Sequence, residues 1–214
     1  MNPSAEIVII GGGGHALSVM EMLPAEVKAA GYVDRTPVDG MPLPYLGTDD
    51  DFIRSVKEHD ASRRRKIHVA VVSGTGADME MRRRIIGLYS GIEAATLVAP
   101  IAIVTPGSSL GCGCAVMHGA IVNGASVGDF CIINTGAVIE HGVTLGRNVF
   151  IGPGAVICGG VSVGDDVFIG AGATVRNCVD IAGGTTIGMG ATVTCNICET
   201  GVYTGTPARK MNRK

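Results

Sequence analysis

Three groups of residues in this 214-residue chain have types and spacings that could do chemistry. The first is His141, the one histidine inside a stretch where a branched aliphatic recurs at every sixth residue from Ile121 to Val193. An imidazole changes charge near neutrality, which suits it to take a proton from a nucleophile attacking a carbonyl. The second is Gly11-Gly12-Gly13-Gly14-His15-Ala16, which follows the apolar run Ile7 to Ile10. Gly11-x-Gly13-x-x-Ala16 satisfies the dinucleotide-binding fingerprint, whose glycines let backbone N–H groups approach a pyrophosphate at a helix N-terminus. Asp34 comes after the apolar segment Gly31-Tyr32-Val33, near the spacing at which an acid meets a ribose hydroxyl. The third group is the seven cysteines. They are odd in number, and the chain's start lacks the basic flank and apolar core of an export signal, so free thiols are expected rather than a disulfide framework. Cys195-Asn-Ile-Cys198 has zinc-ligand spacing, but Cys112 and Cys114 fall about four and a half coils of the repeat away, so no metal is expected.

The elements that must carry these groups differ between the two halves of the chain. A period of six fits neither a helix nor a flat strand, but it suits a coil that turns a corner every six residues and closes after three sides. Such a coil is a prism of stacked parallel strands, with residues eighteen apart above one another. The aliphatics, and the small or branched residues four places after each, fill its interior. Gly128, Asn134, Gly146, Gly152, Gly164, Gly170 and Gly188, each one place after an aliphatic, are expected at the corners with positive φ. Stacking by eighteen puts Asn123 and Gly159 on either side of His141, with the Gly159 N–H a candidate oxyanion donor. The register is expected to slip between Ile103 and Ile121.

The first hundred residues alternate otherwise. Glu6 to Ile10, Gly31 to Val33 and Ile67 to Val72 read as strands separated by helices, the third strand leading into Ser73-Gly74-Thr75-Gly76. This β-α-β-α-β order suffices for one nucleotide but falls short of the two halves that a nicotinamide dinucleotide spans. The expected architecture is an α/β Rossmann-like domain over residues 1–99, then an all-β parallel helix of hexapeptide repeats over 100–214. A formal net charge of −2 and 17% charged residues give no reason to expect nucleic acid as partner. No run approaches eighteen apolar residues, so membrane insertion is not expected, and the protein is read as cytoplasmic.

With the glycine loop and the string Ile133-Asn-Thr-Gly-Ala-Val-Ile-Glu-His141, the chain resembles the bacterial sugar acyltransferases with a left-handed β-helix. These include the sialic acid O-acetyltransferases and the N-acetyltransferases of UDP-linked 4-amino-sugars. The resemblance implies a homotrimer that uses acetyl-CoA as acyl donor, with no permanently bound cofactor, and a nucleotide-sugar as acceptor. His141 then corresponds to the general base. Asn134, Gly11, Gly13, Gly14, His15, Asp34, Gly74 and Arg82 fall to the acceptor, and Gly159, Ala171 and Met189 to acetyl-CoA. The closing Gly201 to Lys210 segment resembles the family's cap on the last coil. Three departures stand out: Thr75 in place of an asparagine, Gly142 where relatives carry an acid after the histidine, and Phe150 where some have a second histidine. Transfer to the amine of a nucleotide-linked amino-sugar is the expected reaction, and O-acetylation of a sugar or sialic acid is the alternative.

Overall fold

The computed structural model describes residues 6–58, 65–72 and 79–211. Glu6–Ile10 (β1), Lys28–Val33 (β2) and Lys66–Val69 (β3) form a parallel sheet in the order β2-β1-β3. Around it lie Gly14–Glu21 (α1), Asp49–Glu58 (α2) and Met79–Leu88 (α3). β1 is apolar on both sides because both are covered. Ile7 and Ile9 pack with Ala16, Val19 and Met22 of α1, whereas Val8 and Ile10 pack with Phe52 of α2 and Ile86 of α3. α2 starts at a reciprocal cap in which the Thr48 hydroxyl donates to Asp51 Oδ2 (2.8 Å) and accepts from the Asp51 N–H (3.4 Å). Because β1 is central, the chain leaves it towards β2 on one side and β3 on the other. The carboxyl ends of β1 and β3 therefore part into a crevice, the place where open α/β sheets take their ligands.

From Leu97 the chain is a three-sided stack of short parallel strands. One face holds Leu97–Val98, Ala115–Val116, Ile132–Ile133, Phe150–Ile151, Phe168–Ile169 and Thr186–Ile187, and is closed by the hairpin of Val202–Thr204 and Arg209–Lys210. The second face runs from Ile103–Val104 to Thr192–Val193, and the third from Ser109–Leu110 to Asp180–Ile181. In each regular strand the second residue points inwards, and these side chains form one continuous core with the small residues of the corners. The first residue points outwards, so each face has its own chemistry. Ala115, Ile132 and Phe150 of the first face pack into the amino-terminal unit, with Phe150 and Phe168 stacked at 4.7 Å between ring centroids. The second face presents Ile103, Ile121, Val138 and Val156, and the third presents Ser109, Ser126, Thr144, Ser162 and Asp180.

Two expectations about the coil need correction. The residues with positive φ stand three places after the aliphatics, not one: Gly136, Gly142, Gly154, Gly160, Gly172, Gly184 and Gly190, with Phe130, Asn148, Asp166 and Cys178 at the same slot. None of Gly128, Asn134, Gly146, Gly152, Gly164, Gly170 and Gly188 is among them. Most of those glycines are needed for a different reason, the close approach of the next coil. A Cβ on Gly152 would lie 2.5 Å from the Ala171 nitrogen, and one on Gly170 2.6 Å from the Met189 nitrogen.

The register also slips elsewhere than expected. Leu145 pairs with Val127, eighteen residues earlier, but Ile139 pairs with Val122 and Ile133 with Val116, each seventeen earlier. Val122 is thus the interior residue, fully buried, and Ile121 points outwards. The six-residue step is intact from Val98 to Val122 and shortens to five at Asn123-Gly124-Ala125. Ile121 and Val122 are both branched aliphatics, so the periodic pattern admits either as the interior residue. Only the pairing decides.

Candidate active site

His141 stands at the corner between the second and third faces, preceded by Glu140 and followed by Gly142 (φ +68°). Its side chain is exposed, and its ring lies so close to the next coil that a Cβ on Gly159 would be 2.7 Å from Cε1 and 2.8 Å from Nε2. A larger residue at 159 would push this imidazole from its seat. The Gly159 N–H has no acceptor among the described residues, but the same is true of the Ala171 and Met189 N–H groups at equivalent slots. A free N–H is therefore a property of the coil, and what singles out Gly159 is the imidazole above it.

On the other side of His141 the five-residue step takes effect. Asn123 aligns with Glu140 rather than His141, and its Nδ2 donates to Glu140 Oε2 at 3.0 Å. A Cβ on Gly124 would still be 3.8 Å from His141 Cα and Cβ. The imidazole rests on Gly159, has Gly124 beside its Cα and Cβ, and is open to solvent. Glu140 Oε2 also receives the His141 backbone N–H at 3.4 Å, so the carboxylate holds the main chain of this corner rather than the ring.

The second group of residues meets at the crevice between β1 and β3, a cleft of about 360 Å³ lined by Gly11 to Gly14, His15, Asp34, Arg35, Val71 and Ile85 among others. Its four glycines divide by role. A Cβ on Gly11, whose φ is +101°, would lie 2.8 Å from Val71 Cγ2, and one on Gly12 would lie 2.9 Å from Tyr32 Cε2. Those two are required by packing, whereas Gly13 and Gly14 face open space. The N–H groups of Gly13, Gly14 and His15 have no acceptor among the described residues and crown the N-terminus of α1, an arrangement that suits a phosphate. Asp34 ties the loop down, Oδ2 accepting the Gly12 N–H and Oδ1 the Arg35 N–H, both at 2.7 Å.

Comparison with known proteins places these features. Residues 124–159 and 142–177 match the bacterial transferase hexapeptide (six repeats) family, and residues 160–198 match the hexapeptide repeat of succinyl-transferase. No curated protein sequence matches significantly. Among solved structures, PerB from Caulobacter crescentus, in complex with CoA and GDP-perosamine, is 33% identical over 97% of this chain and 98% of its own, with a TM-score of 0.85. The acetyltransferase domain of PglB from Neisseria gonorrhoeae FA1090 is 30% identical over 96% of this chain and 99% of its own, with a TM-score of 0.82. The chain belongs to the left-handed β-helix family of sugar acyltransferases. It is an acyltransferase with a small Rossmann-like amino-terminal part. Among the described residues no helix is long and apolar enough to cross a membrane, and no group of three or more His, Cys, Asp or Glu gathers where a metal ion could bind.

In this acyltransferase the other expected site residues fall in separate places. Asn134 and, in the coils stacked below it, Ala171 and Met189 lie on the corner between the first and second faces, across the second face from His141 and Gly159. Asn134 Oδ1 accepts the Thr135 N–H at 2.8 Å, and Met189 is 80% exposed. Gly74 lies outside the described residues. Arg82 is on the same helix as the cleft residue Ile85 but turns elsewhere, its guanidinium buried between the amino-terminal unit and the prism. There it meets Asn148, which with Asp166 is missed by motif reading. The available signal was the replacement of glycine by Phe130, Asn148 and Asp166 at three successive positions of one corner. Phe150 is buried where the first face packs on the amino-terminal unit.

Two imidazoles below the glycine loop respond to pH. His15 Nε2 has no partner among the described residues, and burial, then nearby His68 and Arg82, lowers its pKa to about 4. His68 is fully buried, and its Nδ1 donates to Ala95 O at 3.0 Å, since a carbonyl can only accept. Burial lowers this pKa also to about 4. Both folded values lie below the unfolded 6.5, so the folded state binds fewer protons between pH 6.5 and 4. Stability should be full above pH 6.5 and fall as the pH drops through that window, by up to about 3 kcal/mol for each imidazole. Melting temperatures measured from pH 7.5 to 4 should decline more steeply in the wild type than in a His15→Asn/His68→Asn variant. Equal slopes would contradict the assignment.

Proposed function

We propose that the protein transfers the acetyl group of acetyl-CoA to the amine of a nucleotide-linked, specifically UDP-linked, amino-sugar in bacterial glycan biosynthesis, with His141 as general base. The carrying observation is the exposed imidazole seated on Gly159, in a chain that also holds a phosphate-type glycine loop. The relatives support transfer from the coenzyme to a nucleotide-linked amino-sugar: PerB is bound to CoA and GDP-perosamine, two further structures of the Caulobacter crescentus perosamine N-acetyltransferase carry substitutions of a histidine, and the PglB domain binds acetyl coenzyme A. The neutral amine attacks the thioester carbon, forming the C–N bond. The Gly159 N–H faces the oxyanion, His141 takes the amine proton, and the C–S bond breaks to release CoA. Residues 1–99 hold the nucleotide through the free N–H groups of Gly13, Gly14 and His15, on a loop that Gly11 and Asp34 keep in shape, and residues 100–214 carry acyl transfer, with Asn134 towards the acceptor.

A homotrimer fits this reading. The amino-terminal unit covers the first face, and His141 is on the corner opposite that face. Gly159 and the Ala171–Met189 pair border the second face on opposite sides, and in a ring one border of a chain lies against the other border of its neighbour, which brings both kinds of contact to one coenzyme in the seam. The second face has the apolar surface for such a ring: Ile103, 55% exposed, with Ile121, Val138 and Val156. Light scattering should give three chains. A monomer with full activity would overturn the assembly. The function itself is tested by assaying acetyl-CoA with UDP- and GDP-linked amino-sugars and with free sialic acid. Amide formation on a UDP-linked acceptor is expected, and transfer to hydroxyls alone would favour O-acetylation.

A further inference from the structure

We infer that Arg82, Asn148 and Asp166 are positioning residues: they clamp the nucleotide cleft to the prism, so that transfer to a nucleotide-linked acceptor depends on side chains that do not touch it. The inference rests on the function just proposed. Arg82 is 2% exposed and reaches both parts of the molecule. Its Nε donates to Val71 O (3.1 Å) and its Nη2 to Val69 O (3.3 Å), at the carboxyl end of β3, where Ala70, Val71 and Val72 line the cleft. Its Nη1 donates to Phe130 O (2.7 Å) and to Asn148 Oδ1 on the prism corner. Asn148 Nδ2 returns a bond to Met79 O at the start of α3 (3.2 Å) and another to Asp166 Oδ1 (2.7 Å), whose Oδ2 takes Arg83 Nη1 (2.8 Å). The guanidinium fork holds two carbonyls of the cleft wall and two acceptors of the prism at once, more acceptors than the three N–H groups of a lysine could each serve.

The backbone supplies an independent sign. Phe130, Asn148 and Asp166 have φ of +57°, +56° and +57°, at the slot that is glycine on most other corners. Most side chains are disfavoured there by about 1–2 kcal/mol, asparagine and aspartate less so. Asparagine and aspartate are the side chains that tolerate this conformation best, so the corner gives up glycine at small cost at the two positions where a side chain completes the clamp. A displacement of about 1 Å far from the chemistry can lower turnover about 10²-fold.

The geometry also supplies the test. Asn148→Gly places the residue that the slot prefers and removes only the amide, and Asp166→Gly does the same one coil on. Each variant should lower kcat/KM for the nucleotide-linked acceptor by about 10–10²-fold. The KM for acetyl-CoA, the affinity for UDP alone by calorimetry, and turnover of a free amino-sugar at saturation should stay within about twofold of wild type, since all three bypass the clamp. Hydrogen exchange should speed up across α3 while the strands between 126 and 193 keep their protection. Turnover of the nucleotide-linked acceptor within twofold of wild type would overturn the inference. So would an equal loss with both acceptors, the mark of a purely structural role. A wild type inactive on every nucleotide-linked acceptor would instead overturn the proposed function. In that case unchanged exchange across α3 in Asn148→Gly would refute the clamp by itself.

Discussion

His141→Ala should lower kcat for acetyl transfer by about 10²–10⁴-fold, the contribution typical of a positioned general base, while the assembly and acetyl-CoA binding stay near wild type. The side chain is exposed, fills no interior slot and accepts no hydrogen bond from the described residues, so its removal leaves the core untouched. The nature of the acceptor sets where in the range the loss falls. An amine that arrives neutral needs its proton removed only after attack and gives the smaller loss, whereas a hydroxyl needs the base from the start. Steady-state kinetics with both substrates varied will separate the two, because a binding defect would raise KM and spare kcat. A variant within about threefold of wild type would mean that His141 is not the base and that the prism only positions its substrates.

Gly152→Ala should destabilise the protein by about 3 kcal/mol or more, against about 1–2 kcal/mol for Gly154→Ala. The ranking opposes what backbone conformation alone suggests, since Gly154 has φ +64° and Gly152 is outside the positive-φ region. Gly154 faces open space, so an alanine there meets only conformational strain. At Gly152 the new methyl would lie 2.5 Å from the Ala171 nitrogen and 2.7 Å from the Gly170 carbonyl carbon. Both belong to backbone locked by the Ile151–Ile169 pairing, so two coils must separate to admit the methyl. Chemical denaturation of the two variants side by side gives the comparison. A Gly154→Ala protein less stable than Gly152→Ala would show that coil spacing gives way more easily than φ does.

Much of this acyltransferase is legible in its sequence. The six-residue recurrence reveals the prism because each side of each coil must bury the same two side chains, a demand met locally and repeated along the chain. His141 is conspicuous as the one imidazole in that regular pattern, and Gly159 follows from the eighteen-residue stack that brings it under the ring. The loop Gly11 to Gly14 announces a helix N-terminus, though not that Gly11 and Gly12 serve packing while Gly13 and Gly14 are left open to a ligand. Where the pattern is degenerate the sequence stops. Ile121 and Val122 bury equally well, and the pairing of Ile139 with Val122 decides which one enters the core and that the corner one coil before His141 is a residue short. The positive φ three places after each aliphatic, rather than one, comes from how the corner closes on the coil beside it. Arg82 reads as a candidate for the acceptor until the amino-terminal unit docks on the first face and leaves Val69 O, Val71 O, Phe130 O and Asn148 around its guanidinium. Periodicity records what each segment must bury on its own. Which surfaces then meet depends on shape and hydrogen bonding between segments far apart in the chain, and that is settled only when they pack.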